Sequence, residues 1–166
     1  MKSVTYSPGR RDNVKVVERE EPTIDSDEVL VETKQVGLDG TDREIVEGKA
    51  GEIPGNSEDI VFGHEALGEI IEVGPKVNSL TEGDLVVPMV RRPGDCVNCR
   101  NGEMDMCLEG DYEERGIKGR DGFLSEYFKE EPEFLLRVPA EMKDFAVLLE
   151  PTSVAEKSLR VGFNVQ

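Results

Sequence analysis

The sequence predicts a mainly β domain with short helices, folded as a barrel or sandwich. Three observations carry this. Short runs rich in Val and Ile, bounded by Gly, Pro, Asp or Asn, recur through residues 1–90. A helical pattern becomes continuous only from Ala140 on. Between them, residues 91–122 are polar, irregular and Gly-rich and hold every cysteine of the chain.

The runs "VKVVERE" and "EVLVETKQVGLDG" read as the first strands, and "DREIVEG" at residues 42–48 as one or two helical turns that Thr41 could cap. "VGPKVNSLTEGDLV" reads as two strands joined by a polar turn, covering the end of "LGEIIEVG" and the start of "DLVVPMV". Strand character returns at "FLSEYF" and "FLLRVP". The final segment, "EPTSVAEKSLRVG", places Pro151 before a candidate cap, Thr152 or Ser153, and Glu156 three residues after Ser153 completes a capping-box pattern.

A chain of 166 residues is long enough to bury a real core. With 20 basic and 36 acidic residues the net charge is −16. Such a surface repels nucleic acid and anionic membranes, because phosphate contacts need clustered Lys and Arg. The acidity is spread along the chain, consistent either with self-repulsion that maintains solubility or with adaptation to high salt. There is no apolar run of membrane-spanning length and no apolar signal-peptide core, so the chain reads as cytoplasmic. No G-x-G-x-x-G follows a strand, so no dinucleotide site of its own is expected.

Two groups of residues could carry chemistry. In "RRPGDCVNCRNGEMDMC", Cys96, Cys99 and Cys107 fall within 12 residues. An odd number of closely spaced cysteines favours a metal over disulfides. Two thiolates in C-x-x-C grip one ion from a tight turn, and tetrahedral zinc needs a fourth ligand, for which the carboxylates of Asp95, Asp105 and Asp111 are near in sequence. The second group centres on His64, the only histidine of the chain, in "IVFGHEALGEI". Asp39, Glu65 and Glu150 lie far from one another in sequence, apart from the His64–Glu65 pair, but each falls at the end of an element. One imidazole with carboxylates suffices for a catalytic zinc with an open position; spacing alone does not connect them.

The stretches "GHEALGEIIEVG", "GDLVVP" and "CVNCRNGEMDMC" resemble the catalytic domain of zinc-dependent medium-chain alcohol dehydrogenases. "GLDGTDREIVEGK", "GDLVVPMVRRPG", "ERGIKGRDGF" and "EPTSVAEKSL" are most similar to the archaeal, halophilic-type glucose dehydrogenases of that family, from about residue 28 to 160. The resemblance implies a GroES-like, partly open β-barrel catalytic domain at residues 1–150 with a cysteine lobe at about 91–115, and at 151–166 the start of a helix leading toward a nucleotide-binding domain. It implies a catalytic zinc on Asp39, in place of the family's cysteine, with His64, Glu65 and Glu150. An aspartate there is a harder donor than a thiolate, which implies looser zinc binding and a more electrophilic metal.

By the same resemblance Thr41 hands the substrate's proton toward solvent and lies beside the cofactor. Glu114 hydrogen-bonds sugar hydroxyls, with Glu113 as its neighbour in register, and Glu150 also lies at the substrate. Cys96, Cys99 and Cys107 would hold a structural zinc; the lobe's first cysteine is missing, and Asp111 is the carboxylate that could replace it. Val154 stands where some relatives carry a polar, sugar-contacting residue. The implied reaction is zinc-assisted oxidation of a sugar at C1 to the lactone, with NADP or NAD as hydride acceptor.

In the family a Rossmann domain follows this portion. The expectation is therefore an isolated N-terminal part with the Rossmann domain absent, inactive alone and monomeric, of an enzyme that is a homo-oligomer when intact. Two alternatives stand beside it: a dehydrogenase of another aldose, polyol or alcohol, and a non-catalytic zinc-binding module.

Overall fold

The computed structural model describes residues 1–8 and 13–164. Residues 165–166 of the expected terminal helix lie outside it. The strands, in order, are β1 (Lys2–Tyr6), β2 (Val14–Glu18), β3 (Val29–Gly37), β4 (Ile60–Val61), β5 (Glu65–Val73), β6 (Leu85–Pro88), β7 (Arg91–Arg92), β8 (Glu113–Arg115), β9 (Gly119–Arg120), β10 (Tyr127–Glu130) and β11 (Leu135–Val138). The helices are α1 (Gly40–Val46), α2 (Val97–Arg100) and α3 (Leu149–Asn164).

They build a five-stranded antiparallel sheet of order β10-β3-β5-β6-β11, a three-stranded sheet β2-β1-β4 and a small sheet β7-β8-β9 that carries the lobe. None closes on itself, as a partly open barrel requires. Among the described residues no helix is long and apolar enough to cross a membrane.

Strand β5 is the centre of the fold. Its first residues are buried without interruption, because both of its faces are covered. Ala66 and Ile70 face a core with Val29, Val31, Val86, Phe123 and Phe128. Leu67 points the other way, to Val87, Val138 and Ala146. Glu65 shares the Leu67 parity, so the pleat carries it toward the side where α3 begins.

The lobe sheet is fastened to the large sheet by ions. Glu130, buried at the end of β10, accepts from Arg92 of β7 and, at 2.8 and 3.0 Å, from Arg115 of β8. Arg92 also stacks 4.0 Å over the Phe134 ring.

Three local expectations are revised. Helix α3 starts at Leu149, so Pro151 lies inside its first turn, where the missing N–H costs nothing. Thr152 and Ser153 therefore do not cap it; their hydroxyls donate back to the carbonyls of Leu148 and Glu150. In "FLSEYF" the strand begins only at Tyr127, and Phe123 is instead a core side chain. At α1 the cap is Asp39, not Thr41.

Candidate active site and cysteine lobe

The turn after β3 shapes the first side of the site. Asp39 Oδ1 accepts from the backbone N–H of Thr41 at 2.7 Å and of Asp42 at 3.3 Å. Asp42 Oδ2 accepts in return from Asp39 N at 3.0 Å, a reciprocal capping box. The Thr41 hydroxyl reaches Asp39 Oδ2 at 3.4 Å. The cap thus fixes the Asp39 carboxylate at the mouth of the site before any ligand arrives.

Gly37 and Glu65 are direct cross-strand partners. A Cβ on Gly37 would stand 2.0 Å from Glu65 Oε2, so the glycine leaves the space that the carboxylate fills. His64 and Glu65 are buried, Asp39 is exposed, and one donor atom from each lies within 4.8 Å of the others. His64 Nε2 stands 3.8 Å from Asp39 Oδ1, and Nδ1 stands 3.6 Å from Asp42 Oδ1. At that distance the buried Nδ1 has no hydrogen-bond partner. Glu150, half-buried at the start of α3, lines the same cleft outside that tight trio.

The electrostatics are those of negative charge gathered around one imidazole. Burial alone would lower the His64 pKa, but the carboxylates of Asp42, Glu150 and Asp39 outweigh it and raise it. Burial raises the carboxyls of Glu65 and Glu150, and repulsion from Asp39 adds to each, although His64 opposes the rise. Burial also acts upward on Asp42, yet His64 and the N–H groups of Asp39 and Gly63 overcome it and hold this carboxyl low. Carboxyls repelling one another around a buried imidazole, whose Nε2 faces Asp39, make a donor set that a divalent cation satisfies.

These residues open onto a cleft of about 670 Å³. Glu114 of β8 lines the same cleft, with Arg91, Met89, Asp105 and, from α3, Val154 and Lys157. Glu113 points elsewhere, 3.5 Å from Arg120, so the strand alternation assigns the cleft to Glu114.

The lobe gathers its donors locally. One Sγ each of Cys96, Cys99 and Cys107 lies within 4.8 Å of the others. The Cys107 thiol donates to Asp111 Oδ1 at 3.4 Å, and the Asp95 N–H donates to Asp111 Oδ2 at 3.2 Å. A Cβ on Gly94 would lie 1.8 Å from Asp111 Oδ1, so a glycine again leaves room for the carboxylate. Of the three aspartates near in sequence, Asp111 meets the thiols, whereas Asp95 pairs with Arg100 and Asp105 with Lys157. The Leu108 N–H donating to Cys96 Sγ, helped by that of Cys99, lowers the Cys96 thiol to about 7. Burial and the neighbouring thiols push Cys99 up to about 11. Three thiols and one carboxylate match a closed tetrahedral site.

The family model described as the alcohol dehydrogenase GroES-like domain matches residues 25–140. The chain belongs to this family. Over 168 residues it is 44% identical to a glucose 1-dehydrogenase of Methanocella arvoryzae, covering 100% of this chain and 47% of that protein. Its identity to a glucose 1-dehydrogenase of Thermoproteus tenax is 42%, covering 98% and 46%. The structure of Haloferax mediterranei glucose dehydrogenase in complex with NADP, Zn and gluconolactone superposes with a TM-score of 0.91 at 38% identity, covering 99% of this chain and 46% of that one. Galactitol-1-phosphate dehydrogenase from Escherichia coli superposes with a TM-score of 0.75 at 30% identity, covering 91% and 42%. The chain spans about half the length of the curated relatives it matches.

Sequence reasoning missed Asp42, Gly37, Gly94 and Arg91. Asp42 had a signal, since it stands three residues after an N-cap aspartate. The two glycines had none, because what they make room for is distant in sequence or across a loop.

Proposed function

We propose that this chain is the catalytic-domain portion of a zinc-dependent, NAD(P)-linked glucose 1-dehydrogenase that oxidises the C1 hydroxyl of the sugar to the lactone. Residues 1–150 form that domain and 151–166 begin the connection toward a nucleotide-binding domain. The observation that carries the reading is the meeting of Asp39, His64 and Glu65 in a cleft that Glu114 also lines. The similarity to glucose 1-dehydrogenases along the whole chain supports it.

Asp39, His64 and Glu65 would hold the catalytic zinc, with Glu150 as a further oxygen donor. A zinc ion there supplies Lewis-acid polarisation of the C1 hydroxyl. Asp42, on the Nδ1 side of His64, holds the ring in place. Glu114 accepts from a sugar hydroxyl and, with Glu150, orients C1. The Thr41 hydroxyl, held by Asp39, takes the C1 hydroxyl proton and passes it to solvent. NADP or NAD, when bound, would supply the hydride acceptor for C1, so that the products are lactone, reduced cofactor and a proton, and Thr41 would line its site.

Cys96, Cys99, Cys107 and Asp111 would hold a second, structural zinc. The three unpaired cysteines suit the reducing cytoplasm. In the intact enzyme we place homo-oligomer contacts outside this chain.

Metal counting tests the reading. The wild-type chain is expected to bind two zinc ions, and His64→Ala one. A non-catalytic zinc module would bind one in both. The chain alone is expected not to oxidise glucose with NADP+ or NAD+; measurable turnover would overturn that. The similarity to galactitol-1-phosphate dehydrogenase favours one alternative, a polyol substrate. Stronger binding of a polyol than of glucose by the zinc-loaded chain would establish it.

A further inference from the structure

The two arginines of β7 divide by the pleat. Arg92 turns inward to Glu130, while Arg91 turns to the cleft. Arg91 lies directly opposite Glu114 in the antiparallel pair, where side chains share a face. Its Nε and Nη2 donate at 3.0 and 2.7 Å to the same oxygen, Glu114 Oε1. Among the described residues, Glu114 Oε2 accepts no hydrogen bond. The guanidinium is itself held on two further sides. Nη1 donates to the Met104 carbonyl at 3.3 Å, in the turn between Cys99 and Cys107, and the plane lies 3.9 Å over the Tyr112 ring. Both side chains are mostly covered, at 26% and 18% exposure.

We propose that Arg91 is a positioning residue: it clamps one oxygen of Glu114 and leaves the other as the single fixed acceptor for one hydroxyl of a polyhydroxy ligand in the cleft. The inference rests on the sugar reading above and deepens it from a binding carboxylate to a device that selects among hydroxyls. A carboxylate with both oxygens free can rotate and accept from whichever hydroxyl is near. Clamped, it offers one strong, charge-assisted acceptor in one direction, and a ligand lacking the matching hydroxyl leaves that acceptor unpaired. The guanidinium also offsets the charge that Glu114 adds to a cleft already holding Asp39, Glu65 and Glu150. Lysine cannot replace it, because a single ammonium does not send two fixed donors to one oxygen while stacking on Tyr112.

The test is binding of glucose and of a set of singly deoxygenated glucoses to the zinc-loaded chain, followed by ligand-observed NMR. Wild type is expected to lose roughly tenfold in affinity for one deoxysugar. Arg91→Gln and Arg91→Lys are expected to lose about the same factor for glucose while binding that deoxysugar as wild type does, so that the contrast disappears. A structural role would weaken every sugar alike; that result, or a contrast that survives both substitutions, overturns the proposal. Should Arg91→Gln fail to fold, Arg91→Lys decides by the same criterion. Absence of glucose binding by wild type overturns the sugar reading and this inference with it, whereas wild-type binding with unaltered variants overturns the inference alone.

Discussion

The two candidate metal centres are built on opposite plans. The lobe centre draws its donors from residues 96–111, and its thiols are packed inside a loop that has little other core. The cleft centre draws on the end of β3, the start of β5 and the start of α3, elements held in place by the main sheet whether or not a metal is present. In the lobe the three thiols face one another, with Asp111 beside Cys107. In the cleft they sit on one side of a cavity that leaves room for a ligand. On the reading proposed above, the difference separates a metal that would fold the chain from one that it would use: the local centre would need the ion for its shape, whereas the distributed centre has its shape imposed by the barrel. The two share one device, a glycine that makes space for a carboxylate, Gly37 for Glu65 and Gly94 for Asp111.

The comparison breaks most visibly through stability. Cys99→Ser is expected to release the lobe zinc and to cost about 4 kcal/mol, the upper end for a single substitution, in chemical denaturation of the zinc-loaded protein. His64→Ala is expected to release the other zinc at a much smaller cost in stability. Equal losses from the two substitutions would erase the distinction. The fastening between lobe and sheet is expected to cost nearly as much: Glu130→Ala strands two buried guanidinium groups and should cost about 3 kcal/mol by the same measurement. An unchanged midpoint would show that the lobe does not depend on the ion pairs.

The glycines sharpen the comparison further. Gly37→Ala is expected to displace Glu65 and weaken the cleft zinc by roughly tenfold, leaving the lobe zinc unchanged. Gly94→Ala is expected to do the converse through Asp111, again by about tenfold. Competitive chelator titration reads both, and crossed or absent effects would sink the shared device.

The smallest expected effect is a pH dependence of the metal-free protein. The folded His64 pKa lies above its ordinary value. Its contribution to stability is therefore fully present below the unfolded value of about 6.5 and is lost as pH rises through the folded one. The raised carboxyls of Glu65 and Glu150 act with the same sign in a more acidic window. The thermal midpoint of the metal-free wild type should thus fall relative to that of His64→Gln as pH rises from mildly acidic to mildly alkaline. Parallel curves would count against the cluster.

Much of the cleft was legible because its donors carry chemical signals: a solitary histidine, an adjacent glutamate and an aspartate before a helical turn. Their meeting was not legible from spacing, since 25 residues separate Asp39 from His64 and 86 separate His64 from Glu150. Only the resemblance joined them before the sheet was seen. The lobe was the reverse case. Its thiols are so close in sequence that they must meet; the resemblance singled out Asp111 among Asp95, Asp105 and Asp111, and the fold brings that carboxylate to Cys107. The helix cap at Thr152 or Ser153 misled because Pro151 reads equally well just before a helix or inside its first turn.

By itself, the sequence determined the mainly β character, the acidic surface, the thiol cluster and the candidate donors, because periodicity and side-chain chemistry are local properties. Only the tertiary structure decided which carboxylate faces which site. It put Glu114 rather than Glu113 on the cleft, Asp111 beside the thiols, Asp42 behind His64 and Arg91 against Glu114. Those choices depend on strand register and on where a missing Cβ leaves space, and both are fixed only when distant segments pack together.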